Sequence, residues 1–156
     1  MGRYIGPRHK LCRTLGSCIW GSPKCPSARR PFPPGQHGPN LRRKLSVYGQ
    51  QLLEKQKIQR HYGLLERQMR RTFERAQRMG GVTGTNLLLL LESRLDSVVY
   101  RLGFANTMPA ARQLVSHGHV RVDGKQCNMP SFQVKPGMSV SIHEKSRKIP
   151  MVAQGA

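Results

Sequence analysis

Residues 94–125 read RLDSVVYRLGFANTMPAARQLVSHGHVRVDGK, and this stretch decides the fold. Its apolar residues recur at helical spacing in two segments, which end at Gly103 and Gly118. After Gly118 the apolar spacing changes from about 3.6 to 2, and Asp123-Gly124 is a strong signal for a tight hairpin. The stretch therefore predicts two short helices that bring basic side chains to one edge, followed by a hairpin.

The chain is strongly basic. Its 156 residues include 27 Lys and Arg against 7 Asp and Glu, which gives a formal net charge of +20. Such a surface is neutralised beside a polyphosphate and releases counterions there, so nucleic acid is the expected partner and no small-molecule substrate is indicated. The longest apolar run, Leu87 to Leu91, is far shorter than the roughly 20 residues of a spanning helix, and we expect a soluble, intracellular chain without a membrane partner.

Composition divides the chain into four segments. Residues 1–45 are rich in Pro, Gly, Arg and Cys and predict an extended, irregular basic arm that is partly disordered without a partner. Residues 46–84 predict the helical part of the first domain, and residues 85–145 predict a small RNA-binding domain. Residues 146–156 are a tail or the start of a missing return segment.

Capping residues and apolar spacing predict four helices. The first begins after Ser46 and ends near His61, and the second runs from Leu64 to Met79. In the second helix we expect ion pairs between Glu66 and Arg70 and between Glu74 and Arg78. The third helix is expected to begin after Thr85 and to continue through an apolar stripe, and the fourth begins after Thr107. The residues of that stripe are Leu88, Leu91, Leu95, Val98 and Leu102.

Short strands are expected around the hairpin, near Phe132 and Val134, and at Val140 and Ile142 after a Pro136-Gly137 turn. The predicted fold class is α+β: a mostly helical basic amino-terminal domain with an irregular arm, plus a small RNA-binding domain of two packed helices on a short, mainly antiparallel sheet.

Basic and polar residues of the third and fourth helices suggest how RNA is bound. Arg94 and Arg101 are seven residues apart and are expected to share the helix face opposite the leucine stripe. Arg112, Gln113 and Ser116 share the outer face of the next helix. A-form RNA presents phosphates and 2′-hydroxyls, and the planar guanidinium of arginine bridges two phosphate oxygens, so the contacts should recognise shape.

Further segments carry a resemblance that the central stretch alone does not establish. They are Met1-Gly2-Arg3-Tyr4-Ile5-Gly6-Pro7, Arg29-Arg30-Pro31-Phe32-Pro33-Pro34-Gly35-Gln36-His37-Gly38, Glu54-Lys55-Gln56-Lys57 and Glu92-Ser93-Arg94-Leu95-Asp96. With these segments the chain resembles the bacterial-type S4 family of small-subunit ribosomal proteins over nearly its whole length. The resemblance implies a primary rRNA-binding protein that nucleates subunit assembly at an rRNA helix junction, contacts neighbouring ribosomal proteins and helps line the path of the mRNA. It also implies a ribosome-bound location in the bacterial cytoplasm, and it leaves an organellar ribosome open.

Two departures and two alternatives accompany this interpretation. Family members usually continue for several tens of residues past Glu144-Lys145-Ser146-Arg147, and many have Arg where this chain has Met108. An RNA-modifying enzyme or synthetase that borrows the same module would need a catalytic domain, for which 156 residues with seven acids leave no space. A free RNA-binding regulator would lack the proline-rich arm and the basic helical pair. We therefore expect a structural protein and no enzyme.

The basic surface and the resemblance together assign a set of residues to RNA. They are Arg3, Tyr4, Arg29, Arg30, Gln36, His37, Arg42, Arg43, Lys44, Lys55, Arg67, Arg70, Arg71, Arg94, Arg101, Arg112, Gln113, Ser116 and His117. For the loop Pro33–Gly38, physics alone leaves a structural role and a phosphate contact open, and the resemblance favours contact. In His117-Gly118-His119 we prefer a turn whose histidine contacts backbone or RNA over a metal or acid–base site.

His9, Cys12, Cys18 and Cys25 form a candidate zinc site within the arm. A metal held by four such ligands would fold a segment that lacks an apolar core. Some members of the resembled family carry a four-cysteine zinc site here, and Cys12 and Cys25 stand where such ligands stand. His9 replaces a cysteine and Cys18 is displaced by a couple of residues, so free thiols and a disulfide remain alternatives.

Overall fold

The computed structural model describes residues 4–21, 24–40, 44–149 and 152, and the chain divides into two compact units, Met1–Glu66 and Arg67–Ala156. The helices are α1 (Arg8–Leu15), α2 (Val47–His61), α3 (Glu66–Arg78), α4 (Thr83–Glu92), α5 (Leu95–Arg101) and α6 (Met108–Ser116). The strands are β1 (Val120–Val122), β2 (Lys125–Gln126) and β3 (Val140–Ile142), and a 3₁₀ turn follows at Glu144–Ser146. Helices combined with a small antiparallel sheet confirm the predicted α+β class.

The predicted irregular arm contains a regular element, α1, and the expectation of an extended segment is wrong there. Cys12, Leu15, Ile19 and Cys25 are buried together, with Trp20 and Leu53 packed against them. Thiols behave as small apolar side chains, so two cysteines complete a core that the few aliphatic residues would not supply alone. Helix α1 ends at Gly16, whose φ of 70° is the left-handed conformation that glycine adopts without strain.

Helices α2 and α3 confirm the predicted cap at Ser46 but not the predicted ion pairs. Helix α2 begins directly after its cap Ser46, whose Oγ accepts a hydrogen bond from the N–H of Gly49 at 3.2 Å. Helix α3 begins at Glu66 rather than Leu64. Glu66 pairs with Lys55 of α2, because that ammonium reaches it across the turn, and Glu74 pairs with Arg70 at 3.2 Å. The predicted pairs Glu66–Arg70 and Glu74–Arg78 are therefore wrong.

The predicted continuous third helix is broken into α4 and α5. The hydroxyl of Ser93 donates to the carbonyl of Leu89 at 2.7 Å and lies 2.7 Å from Oε1 of Gln133. Gln133 also donates to the carbonyl of Leu90 at 3.2 Å, and the N–H of Leu95 donates to Phe132 at 2.8 Å. Because the segment at 132–134 supplies these partners, the helical ladder stops at Glu92 and restarts at Leu95. The helix also begins at Thr83, not after Thr85.

The second unit is built on α5, α6 and the sheet. Thr107 caps α6, since its Oγ1 accepts from the N–H of Ala110 at 3.3 Å, and this prediction is confirmed. The sheet order is β2-β1-β3, and both pairs are antiparallel. Asp123 and Gly124 have φ values of 49° and 77°, as the predicted tight hairpin requires. The core residues of this unit are Leu95, Val99, Ala105, Ala111, Leu114, Val115, Val120, Val122, Ile142 and Val152.

The division between the units falls after Glu66, earlier than the boundary expected after residue 84. A hydrogen-bonded connection between α3 and α4 gives the reason. The amide of Asn86 donates to carbonyls at the end of α3, at 3.2 Å to Met79 and 3.0 Å to Gly80. Asn86 thereby satisfies carbonyls that a helix end leaves without intrahelical partners. Among the described helices, none has both the length and the apolar character needed to cross a membrane.

Candidate functional site

Helix α3 presents a row of arginines. Met69 and Ala76 are buried, whereas Arg67, Arg71, Arg75 and Arg78 are exposed. Spacings of four, four and three residues place these four side chains on one side of the helix, and we call them the arginine stripe. Within the described part of the chain, no ion pair involves a member of the stripe. Arg67 and Arg71 were assigned to RNA from the sequence, whereas Arg75 and Arg78 were missed, although their helical spacing was the signal for them.

In the first unit, the loop at residues 32–38 holds predicted RNA residues at its surface. Gln36 and His37 are exposed, and so are Arg29, Arg30 and Lys44 nearby in the sequence. Gly35 has a φ of 112°, and the N–H of Gly38 donates to the carbonyl of Gly35 at 3.2 Å. The segment is therefore a tight turn with polar side chains outside.

Other predicted residues of the first unit have internal partners. The ring of Tyr4 lies against Arg60, with the guanidinium 4.5 Å from the ring centroid. Lys55 is paired with Glu66. Each keeps some exposure, so neither is removed from the surface. Arg3, Arg42 and Arg43 lie outside the described residues.

Arg94 does not share a helix face with Arg101, and this prediction is wrong. Arg94 stands immediately before α5, and its side chain points inward. Its Nε donates to Oδ1 of Asp96 at 3.0 Å and its Nη2 to Oδ2 at 2.8 Å. The residues are 7% and 1% exposed. The break between α4 and α5 turns Arg94 into the core, where a carboxylate neutralises it.

Arg101 remains at the surface of α5. It is paired with Glu92, with 3.1 Å between Nε and Oε2, and its guanidinium lies 5.8 Å from the centroid of the Tyr100 ring. On the next helix, Gln113 and Ser116 are exposed as predicted and Arg112 is half-buried. His117 is exposed, and its ring centroid lies 6.0 Å from that of His119. The outer face of α6 therefore offers amide, hydroxyl and imidazole groups to a partner.

Three of the four predicted metal ligands come together in the first unit. The sulfurs of Cys12, Cys18 and Cys25 all lie within 4.8 Å of one another. His9 lies outside this group of three, on the exposed side of α1, and contributes to a lower pKa of Cys25. Burial raises the pKa of Cys12 to about 11, whereas hydrogen bonds from Ser27 lower the pKa of Cys25 to about 6.

These residues fit a zinc ion. Structural zinc is bound tetrahedrally by thiolates at about 2.3 Å, so sulfurs of one site are separated by roughly 4 Å, and three cysteines with one histidine are a common ligand set. The low pKa of Cys25 means that one thiolate is already available near neutral pH. All four residues lie on α1 and the segment that follows it. Cys127 lies in the second unit and takes no part.

Comparison with known proteins adds two family matches. The chain matches the Ribosomal protein S4/S9 N-terminal domain over residues 3–92 and the S4 domain over residues 93–140. The boundary between the matches coincides with the break between α4 and α5.

Similar relatives are named small ribosomal subunit protein uS4. The protein of Brevibacillus brevis is 59% identical over 152 residues, which cover 97% of this chain and 75% of the relative. That of Geobacillus sp. is 55% identical over 154 residues, covering 99% and 76%. That of Thermoanaerobacter sp. is 55% identical over 158 residues, covering 97% and 76%.

Proposed function

Because this chain belongs to the small ribosomal subunit protein uS4 family, we propose that it is a structural constituent of the small ribosomal subunit and acts there by binding rRNA. The observation that carries this proposal is the arginine stripe on α3. Four exposed guanidinium groups in a row on one rigid helix match a line of phosphates, and each is free of a competing carboxylate within the described residues.

The distribution of charge supports recognition of folded RNA. Residues 1–81 hold 18 Lys and Arg against 3 acids, and residues 82–156 hold 9 against 4. Phosphate contacts supply most of the affinity, whereas the exposed polar groups of α6 and of the loop at 32–38 offer hydrogen bonds to 2′-hydroxyls and bases. Each unit therefore contributes cations for phosphates and polar groups for 2′-hydroxyls and bases.

More detailed roles in the subunit are proposed because the chain belongs to the uS4 family. The protein nucleates assembly by binding a junction of rRNA helices, contacts neighbouring small-subunit proteins and helps line the path of the mRNA. Its role is structural and not catalytic. The bacterial relatives support a cytoplasmic, ribosome-bound location. A free RNA-binding regulator with the same domain is the alternative, and it would show no fixed stoichiometry with the subunit.

Competition binding tests the function. We expect small-subunit rRNA to compete for the chain far better than an unrelated polyanion of equal charge, such as heparin, and chemical protection to concentrate at one helix junction. Replacing Arg71 and Arg75 by glutamine together should weaken rRNA binding by about tenfold or more, because charge-assisted hydrogen bonds to phosphate are lost. Lys135→Gln, an exposed cation in a turn of the second unit, is the matched control. Equal competition by heparin would contradict the proposal.

We also propose that Cys12, Cys18, Cys25 and His9 hold one zinc ion. The close approach of the three sulfurs supports this, and so does the effect of His9 in lowering the pKa of Cys25. A bound zinc ion would supply folding free energy to a unit whose core is small, and no chemistry of substrates. Helix α1 presents His9 and Cys12 one turn apart, and the buried Cys12 and Cys25 exclude water from the site.

Metal analysis checks the zinc proposal. Protein purified without chelator is expected to contain about one zinc per chain, and Cys25→Ser is expected to lose it and to unfold the first unit at lower temperature. Cys127→Ser should keep the metal, since that thiol lies in the other unit. If the untreated chain holds no stoichiometric zinc and titrates as four free thiols, or shows a disulfide by mass spectrometry, the zinc site does not exist.

A further inference from the structure

Arg13 of α1 is the side chain that holds the loop at residues 32–38. Its Nε donates to the carbonyl of Phe32 at 3.0 Å, and its Nη2 donates to the carbonyl of Pro33 at 3.1 Å. The same guanidinium lies 5.0 Å from the centroid of the Phe32 ring. Arg13 is half-buried, so its fork is turned toward the protein and away from solvent. This arginine is unlike those of the arginine stripe, which are exposed.

The loop depends on an external donor because of its composition. Pro31, Pro33 and Pro34 have no N–H, so residues 31–34 have only the N–H of Phe32 as a backbone donor. Two successive carbonyl oxygens accept from one side chain, and the rigid planar fork of a guanidinium suits this arrangement. A lysine at this position would keep the charge but could not reproduce the fork.

The backbone of Gly38 also lies close to the Pro33 carbonyl. Gly38 is buried, and a Cβ at this position would lie 2.0 Å from the oxygen of Pro33. Arg13 and the backbone of Gly38 therefore both hold the same carbonyl in place. Gln36 and His37, which lie between Pro33 and Gly38 in the sequence, remain exposed.

We propose that Arg13 is a positioning residue for rRNA binding: it fixes the loop at 32–38 so that Gln36 and His37 are presented to RNA in one conformation. This rests on the proposed function, since it assumes that the loop is part of the rRNA surface. A loop ordered before binding loses less conformational entropy on binding, and the gain in affinity comes from pre-organisation and not from a contact of Arg13 with RNA.

Arg13→Lys tests the proposal, because it preserves the charge and removes the fork. In the free full-length protein, hydrogen exchange at the Gly38 amide, which donates to Gly35, should become faster, while amides of α2 exchange as before. Affinity for small-subunit rRNA should fall about tenfold with no change in its salt dependence, because no phosphate contact is lost. Arg8→Lys, on an exposed position of the same helix, should change neither quantity.

A second variant guards against a failure of Arg13→Lys to fold. Gly38→Ala places a methyl group against the Pro33 carbonyl and should loosen the loop and weaken rRNA binding with Arg13 intact. Unchanged exchange at Gly38 in Arg13→Lys overturns the positioning role, whether or not the chain binds rRNA. Faster exchange with unchanged rRNA affinity in both variants shows that the loop is no part of the rRNA surface and overturns the proposal at that step. If the wild-type chain shows no preference for rRNA, the exchange measurement still decides whether Arg13 holds the loop.

Discussion

Asp96→Asn lowers the free energy of unfolding by about 3–5 kcal/mol, the expected cost of leaving a buried charge without its partner. Asp96 is 1% exposed and accepts two hydrogen bonds from Arg94 and one from the N–H of Ser97. Asparagine matches the size of the side chain but leaves the guanidinium of Arg94 uncompensated in the core. Denaturant titration followed by circular dichroism measures the loss.

Two further variants separate stability from RNA contact. Glu92→Gln removes the acidic partner of Arg101. The side chains of Glu92 and Arg101 are 37% and 59% exposed, so the free energy of unfolding should fall by less than about 1 kcal/mol. Replacing Arg94 by methionine and Asp96 by leucine together should recover most of the stability, because a buried ion pair is replaced by apolar groups. If this double variant is stable but has lost its affinity for rRNA, Arg94 contacts RNA and the structural assignment is wrong.

Raising the salt concentration from 50 to 200 mM should weaken binding to small-subunit rRNA by about 10³–10⁵-fold, if six to ten phosphates are contacted as in comparable DNA complexes. The cause is the release of counterions by cations such as the arginine stripe, which becomes less favourable as salt rises. Filter binding at several salt concentrations and constant magnesium measures the slope of log affinity against log salt.

The slope of log affinity against log salt also distinguishes residues that contact phosphate from residues that do not. Arg71→Gln should reduce it by about 1, because one phosphate contact is removed. The double replacement of Arg94 and Asp96 should leave the slope unchanged, since both groups are buried and paired with each other. A nearly flat dependence for the wild-type chain would contradict a binding mode based on phosphate.

Elements whose signals are local were predictable from the sequence. Ser46 and Thr107 cap helices through hydrogen bonds to residues three positions on, and Asp123-Gly124 sets the hairpin through its own backbone angles. None of these depends on distant residues. The helix break at Ser93 was not predictable by the same reasoning, because Gln133 supplies the partner from forty residues away. The burial of Arg94 follows from that break and was missed with it.

The residues of the candidate site also divide into those that a local pattern indicates and those that depend on distant residues. Two members of the arginine stripe, Arg67 and Arg71, were assigned to RNA, and Arg75 and Arg78 were missed although they share the same helical spacing. The candidate metal ligands were proposed from residue type, and the structure brings three of their sulfurs together. Helix α1 was missed because counting aliphatic residues underestimates a core made partly of cysteine. The role of Arg13 depends on carbonyls nineteen and twenty residues away, which no local pattern indicates.

Three thiols in one small space have a practical consequence for anyone who stores this protein without metal or reductant. Air oxidation joins cysteines in pairs, so a disulfide among Cys12, Cys18 and Cys25 leaves one sulfur over. Cys18 is exposed and would meet the oxidant first, and its two neighbours then compete as partners. An aged sample would become a mixture of covalent isomers that differ in which two cysteines of the first unit are joined. Only material kept under reductant or loaded with metal would give one reproducible binding curve.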